Sequence, residues 1–186
     1  MSSTHGRCSL YLAPEQPDFN VDDLSSLVET LQDIGLISHK IRPQDNDTRY
    51  YSGERFLDHI AYMGCAPAIQ FEADDDDEDF CSIRLHQYEK AKLIYSRTQS
   101  RAPHCPACKK PVREWQDNKT DSSINCNLCH TTSAIEKFDW RRMAGVARLF
   151  IEITDIFPKE AIPQQLLMDK LASICRTGWL YFYSCE

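Results

Sequence analysis

Glycine is scarce in this chain, with six among 186 residues at Gly6, Gly35, Gly53, Gly64, Gly145 and Gly178. They are too dispersed to form a phosphate-cradling loop, which needs its glycines clustered. A His-Glu-x-x-His zinc site and a Gly-x-Ser-x-Gly elbow are also missing, so the expectation is a protein that is not an enzyme. No uninterrupted apolar run approaches the length of a membrane span, and the first eight residues carry no apolar signal core. The expected placement is therefore cytoplasmic, with no membrane partner. Positive charge is in deficit, 21 Lys and Arg against 28 Asp and Glu for a net charge of −7. Phosphate backbones need local positive potential, so a general affinity for nucleic acid is excluded unless the charge is unevenly placed.

What the chain does have is cysteine, nine in all. Cys105-Pro106-Ala107-Cys108 and Cys126-Asn127-Leu128-Cys129 form two Cys-x-x-Cys pairs separated by seventeen residues. Each such turn brings two sulfurs to one side of the backbone, and two turns at that spacing can close four thiolates tetrahedrally on one zinc ion. A pair of disulfides is the competing reading, disfavoured by the absence of an oxidising address. Four thiolates fill the tetrahedron and leave no position for water, so the zinc is expected to be structural. His104 and His130 adjoin ligands but are expected to be bystanders. Between the pairs, Pro111 to Trp115 is expected to extend away from the first turn. Asp117 to Ser123 then reverses the chain, and Ile124 and Asn125 lead into the second turn.

This stretch, about residues 101–135, resembles the zinc-ribbon family, with Cys105, Cys108, Cys126 and Cys129 at the family's ligand positions. The glycine usual after each pair is replaced by Lys109 and His130, which must accept a left-handed backbone unless the turns differ. The resemblance also implies that nucleic acid is a possible partner, as many zinc ribbons bind it.

The remaining cysteines, Cys8, Cys65, Cys81, Cys175 and Cys185, are odd in number and are expected to be buried free thiols. Charge divides sharply along the chain. Residues 1–96 carry 8 basic and 18 acidic side chains, residues 97–148 carry 10 and 5, and residues 149–186 carry 3 and 5. A basic ribbon on an acidic body follows, its positive groups being Lys109, Lys110, Arg113, Lys119, Arg141 and Arg142. Trp140 beside Arg141 and Arg142 is expected to pack the ribbon onto its host. The acidic run at 74–79 does not fit a calcium loop that starts at Asp74, because the sixth position lacks glycine and the twelfth is Leu85. It reads as a solvated loop, the alternative being that it docks on a basic partner or folds over the chain's own basic ribbon.

Patterning gives the frame. Arg7 to Ala13 reads as a strand, and Asn20 as the cap of a helix carrying Leu24, Leu27, Val28, Leu31 and Ile34 up to Gly35. Leu36 to Ile41 completes a β-α-β opening. Ser52 to Gly64 reads as a second helix burying Phe56, Leu57, Ile60 and Met63, with Asp58-His59 on a solvated face. Strands are expected at Ala68 to Phe71, Cys81 to His86, Ala91 to Ser96 and Ala147 to Ile153. A helix with Leu167, Leu171 and Ile174 on one face follows Pro163, and Trp179 to Tyr183 forms a strand covered on both faces. The expected fold is α+β: a mixed sheet with β-α-β units at both ends, loosely ferredoxin-like, both long helices on one face and an inserted zinc ribbon. The expected division is a body over 1–100, the ribbon over 101–135 and a closing segment over 136–186 that packs back. The function expected is that of a non-catalytic interaction or regulatory module with a protein partner. The alternative is nucleic-acid binding through Lys109, Lys110, Arg113, Arg141 and Arg142.

Overall fold

The computed structural model describes residues 8–42, 48–63, 69–72, 80–96, 101–157 and 160–185. The chain enters through β1 (Cys8–Pro14), whose Leu10 and Leu12 are fully buried. It then forms α1 (Leu24–Asp33), where Leu27 and Leu31 face the sheet. The helix is capped by Asp23, whose Oδ1 accepts from the Ser25 amide at 2.9 Å, rather than by Asn20, which bonds the Val21 amide instead. It ends as its sequence predicts, on Gly35 at φ 73°. Leu36 N–H donates to Leu31 O and Gly35 N–H to Gln32 O, the paired bonds of a glycine-terminated helix.

Next come β2 (Ile37–Lys40), β3 (Arg49–Ser52), the single turn α2 (Phe56–His59) and β4 (Ile60–Tyr62). The expected second helix is thus cut short. Ile60 and Tyr62 leave it to pair with β9 (Ala161–Pro163), which buries Phe56 and Ile60 and leaves Leu57 and Met63 exposed. His59 is fully buried, its Nε2 2.8 Å from Ile34 O, so only Asp58, paired with Arg55, fits the solvated reading. Two expected strands merge into the 14-residue β5 (Ser82–Tyr95), while Ile69 to Phe71 forms none. Further on lie β6 (Ser123–Asn125), β7 (Thr132–Ala134), β8 (Ala144–Ile156), α3 (Gln165–Cys175) and β10 (Trp179–Cys185).

The fold is α+β, built on a six-stranded sheet of order β10-β1-β8-β5-β3-β2. Each pairing in it is antiparallel, which corrects the expected mixed sheet. Both β-α-β crossovers exist, but each skips over other strands: β1 lies between β8 and β10, and three strands separate β1 from β2. Parallel partners therefore never touch. Leu27 and Leu31 of α1 and Leu167, Leu171 and Cys175 of α3 share one core with Leu12, Ile83, Leu85, Leu149, Ile151 and Ile153, so both helices cover the same face. Ile174, expected in that core, is exposed while Cys175 takes its place. On β10, Trp179 and Phe182 are buried on opposite faces, but Leu180, on the same face as Phe182, is exposed, so the strand is not covered on both faces along its whole length.

The face away from the helices is closed by the sheet itself. A register shift between Gln87 and Lys92 bends the β5/β8 hairpin. Its far end then meets β10, where Ser96 Oγ donates to Cys185 O and accepts from the Cys185 amide. Gly145 lies against the Phe182 ring so closely that a Cβ there would overlap it. Cys8 and Cys185, directly opposite on β1 and β10, form a disulfide, a correction to the expectation of free thiols. Cys81 and Cys175 are free and buried as expected, and Cys65 lies outside the described residues, as does the acidic run at 74–79.

Candidate metal centre

The two cysteine turns are the same structure built twice. In the first, Lys109 N–H donates to Cys105 O at 2.9 Å and Cys105 N–H to Lys110 O at 3.0 Å. In the second, His130 N–H donates to Cys126 O at 2.7 Å and Cys126 N–H to Thr131 O at 3.0 Å. Lys109 and His130 sit at φ 61° and 58°, so both accept the left-handed conformation that glycine would adopt more easily. The β6/β7 hairpin, with Asn125 opposite Thr132, holds the second turn, and a bridge between His104 and Pro111 holds the first. Residues 113–118 form turns, not the extended arm expected.

These turns face each other. Cys105 Sγ lies 3.8 Å from Cys129 Sγ and Cys108 Sγ 3.8 Å from Cys126 Sγ, and all four sulfurs lie within 4.8 Å of one another. Four sulfurs bound to zinc at about 2.3 Å form a tetrahedron with an edge of about 3.8 Å. The donor set is soft and saturating, as a closed zinc site requires. The sulfurs are electrostatically unequal. Hydrogen bonds from the Thr131 hydroxyl and amide bring Cys129 down to about 6. The Lys110 amide also lowers Cys108, yet burial and the facing sulfurs of Cys129, Cys126 and Cys105 outweigh it and push that thiol up to about 11. Charge on one sulfur opposes ionisation of the next, a conflict that a divalent cation at the centre removes. Bound there, the metal would cross-link the two turns and supply no open coordination position. His104 turns elsewhere, its Nε2 3.4 Å from Arg141 Nη1, and His130 is exposed.

Around the centre lies a small core of Val112, Trp115, Ile124, Ile135, Phe138 and Trp140. Trp140 crosses Trp115 edge to face at 4.9 Å between ring centres, and Trp115 crosses Tyr95 of β5 at 5.1 Å. The indole N–H of Trp140 donates to Ile135 O at 3.0 Å. The tryptophan thus packs the cysteine module onto the β5/β8 hairpin, as expected.

The basic side chains named from sequence are all exposed, but they do not form one patch. Arg113 and Arg141 share a cleft with Arg101 and His104, two residues that the charge reading passed over. Arg142 turns to the other side, its guanidinium 4.4 Å above the Tyr181 ring and bonded to the Tyr181 hydroxyl. Lys109, Lys110 and Lys119 do not line that cleft.

Sequence reasoning also missed a polar group on the sheet face away from the helices. Glu152, 7% exposed, accepts from Ser9 Oγ at 2.7 Å and lies 2.7 Å from His86 Nε2. These contacts outweigh burial and hold its carboxyl below the usual range. Alternation along β5 puts His86 on this face and Cys81 on the helix side, where its sulfur is 4.0 Å from the Tyr62 hydroxyl. The two are therefore not positioned to work together. Burial pushes the Cys81 thiol up to about 12, which makes it inert as a nucleophile at neutral pH. No helix among the described residues is long and apolar enough to cross a membrane. Comparison of the chain with protein-family models, with curated proteins and with solved structures finds no match in any of the three.

Proposed function

We propose that this chain is a non-catalytic interaction module in which a zinc ribbon, propped by structural zinc on Cys105, Cys108, Cys126 and Cys129, presents positive charge to a protein partner. In this reading the ribbon is an insertion between β5 and β8. The strands β10-β1-β8-β5 with α1 and α3 form a ferredoxin-like body, since their order and crossovers match that arrangement. The carrying observation is that four sulfurs lie within 4.8 Å of one another, enough to fill the tetrahedron of a zinc ion, while Lys109, Lys110, Arg113, Lys119 and Arg141 all face solvent. Saturated metal performs no hydrolysis, and exposed charge recruits partners. We place the protein in the cytoplasm because four cysteines that ligate zinc escape oxidation best under reducing conditions. The Cys8–Cys185 disulfide pulls the other way, and thiol trapping in intact cells decides between them.

The test is co-purification from lysate at low salt, scored for protein and nucleic acid together. Recovery of a protein released by moderate salt is the expected result. Recovery of no such partner defeats the reading. Nucleic-acid binding is the second reading, supported by the exposure of Lys109, Lys110, Arg113, Arg141 and Arg142. It requires that Lys109→Glu or Arg113→Glu weaken RNA or DNA binding with a steep salt dependence.

A further inference from the structure

The turn from Trp140 to Met143 closes with Met143 N–H donating to Trp140 O at 3.0 Å, and its two central residues are arginines at φ 54° and 59°. Tight turns of this type ordinarily hold glycine or asparagine there, because other side chains are strained in the left-handed region. Keeping two arginines in such a turn sends their side chains in opposite directions. Arg142 lies over Tyr181 of β10 and fixes the turn to the body. Arg141 lines a cleft of about 760 Å3 that Arg113 and Arg101 also line. Its own amide is held by Asp139 Oδ1 at 2.9 Å, and its Nη1 lies 3.4 Å from His104 Nε2, a nitrogen rather than a carboxylate.

We propose that this cleft is an anion-binding site that takes a compact negative group on a peptide, either a phosphorylated side chain or a cluster of carboxylates. The inference rests on the reading of the chain as a protein-binding module and names the chemistry of the partner. Guanidinium groups present rigid forks that match carboxylate and phosphate oxygens two at a time, whereas an ammonium is a point charge. Glu114 and Asp117 also line the cleft. Their charge opposes a continuous polyanion threading through and leaves room for one localised anion, which favours a peptide over a nucleic-acid strand.

Binding of the zinc-loaded full chain to four probes tests this: a phosphoserine peptide, an otherwise neutral peptide with two adjacent glutamates, an uncharged peptide and a single-stranded RNA oligonucleotide. The first or second is expected to bind, the uncharged peptide not, and the stronger of the two identifies the source of the anion. Arg113→Ala and Arg141→Gly are each expected to weaken binding about tenfold or more, with zinc content and melting temperature retained. Lys137→Ala, exposed but outside the cleft, should leave it within about twofold. Equal binding of all variants, no binding of either anionic peptide, or tighter binding of RNA overturns the proposal. A salt-sensitive protein partner that still binds Arg113→Ala as tightly as the parent would overturn the cleft but leave the interaction module standing.

Discussion

The body and the cysteine module solve the same problem with different materials. The body excludes water with aliphatic side chains drawn from every layer, among them Leu10, Leu12, Leu31, Leu36, Ile83 and Ile151, each at or near zero exposure. Its central strands run 14 and 13 residues. The module has strands of three residues and a core of a few large rings around two fully buried cysteines. So little apolar area cannot order a loop-rich segment alone, and a metal that binds the folded state would supply the difference.

The strongest way to break the comparison is to take the metal away. Chelation, or Cys126→Ser, is expected to unfold the module alone, since structural zinc contributes on the order of 10 kcal/mol to such segments. Tryptophan reports this regionally: Trp115 and Trp140 lie in the module and Trp179 in the body core. The expected result is a red-shifted emission with the far-ultraviolet sheet signal retained. Loss of both signals in one cooperative step would show that the two regions are not independent.

The body has its own cross-link, and severing it is expected to have the next largest effect. Cys8 and Cys185 are 177 residues apart, so their bond closes nearly the whole chain into a loop. The chain-entropy argument gives a ceiling of about 5 kcal/mol, with about 2–4 kcal/mol typical. Cys185→Ser should lower the body's melting temperature while zinc content is unchanged. A variant as stable as the parent under oxidising conditions would mean that the strand pairing alone secures the termini.

These two cross-links differ in how much the sequence reveals of them. The four cysteines of the candidate metal centre are legible because each pair is local and the pairs are near each other, so spacing alone carries the geometry. Helix α1 is legible for the same reason, its apolar period and terminal Gly35 being contiguous. Cys8 and Cys185 are not, since five cysteines outside the metal site admit many pairings and only the β1/β10 register selects one. The sheet order is hidden likewise: β5 and β8 pair across the whole cysteine module, and the two crossovers skip three strands and one strand that other parts of the chain supply. The turn α2 was overread because Phe56 and Ile60 fit a helical period, while a distant partner, β9, draws the chain into a strand at Ile60. Arg101 was overlooked because membership in the cleft depends on a turn forty residues later, at Arg141.

A smaller effect is expected at the polar group of the sheet face. Glu152→Gln loses a carboxylate that serves Ser9 and His86 in a nearly dry setting, which costs about 1–3 kcal/mol. The carboxyl is depressed in the folded state, so its stabilisation is present above the unfolded value of about 4.3 and is lost as pH falls through the lower folded value. Denaturant titrations of both proteins should therefore diverge at neutral pH and converge toward acid. A gap that stays constant below pH 4 would assign the cost to packing rather than charge.

The smallest effect sharpens the comparison from the module's side. His130 is exposed and held at φ 58°, a conformation that costs an L-residue about 1–2 kcal/mol, while glycine adopts it freely but loses about 0.5–1 kcal/mol in chain entropy. His130→Gly is thus expected to stabilise the module by up to about 1 kcal/mol. Because the metal binds only the folded turns, that gain should appear as up to about fivefold tighter zinc retention against a competing chelator. The body's melting temperature should not move. Weaker retention in the variant would mean that the imidazole itself supports the second turn, and the strain at Lys109, which has the same backbone and hydrogen bonds, would then need the same substitution to be read separately.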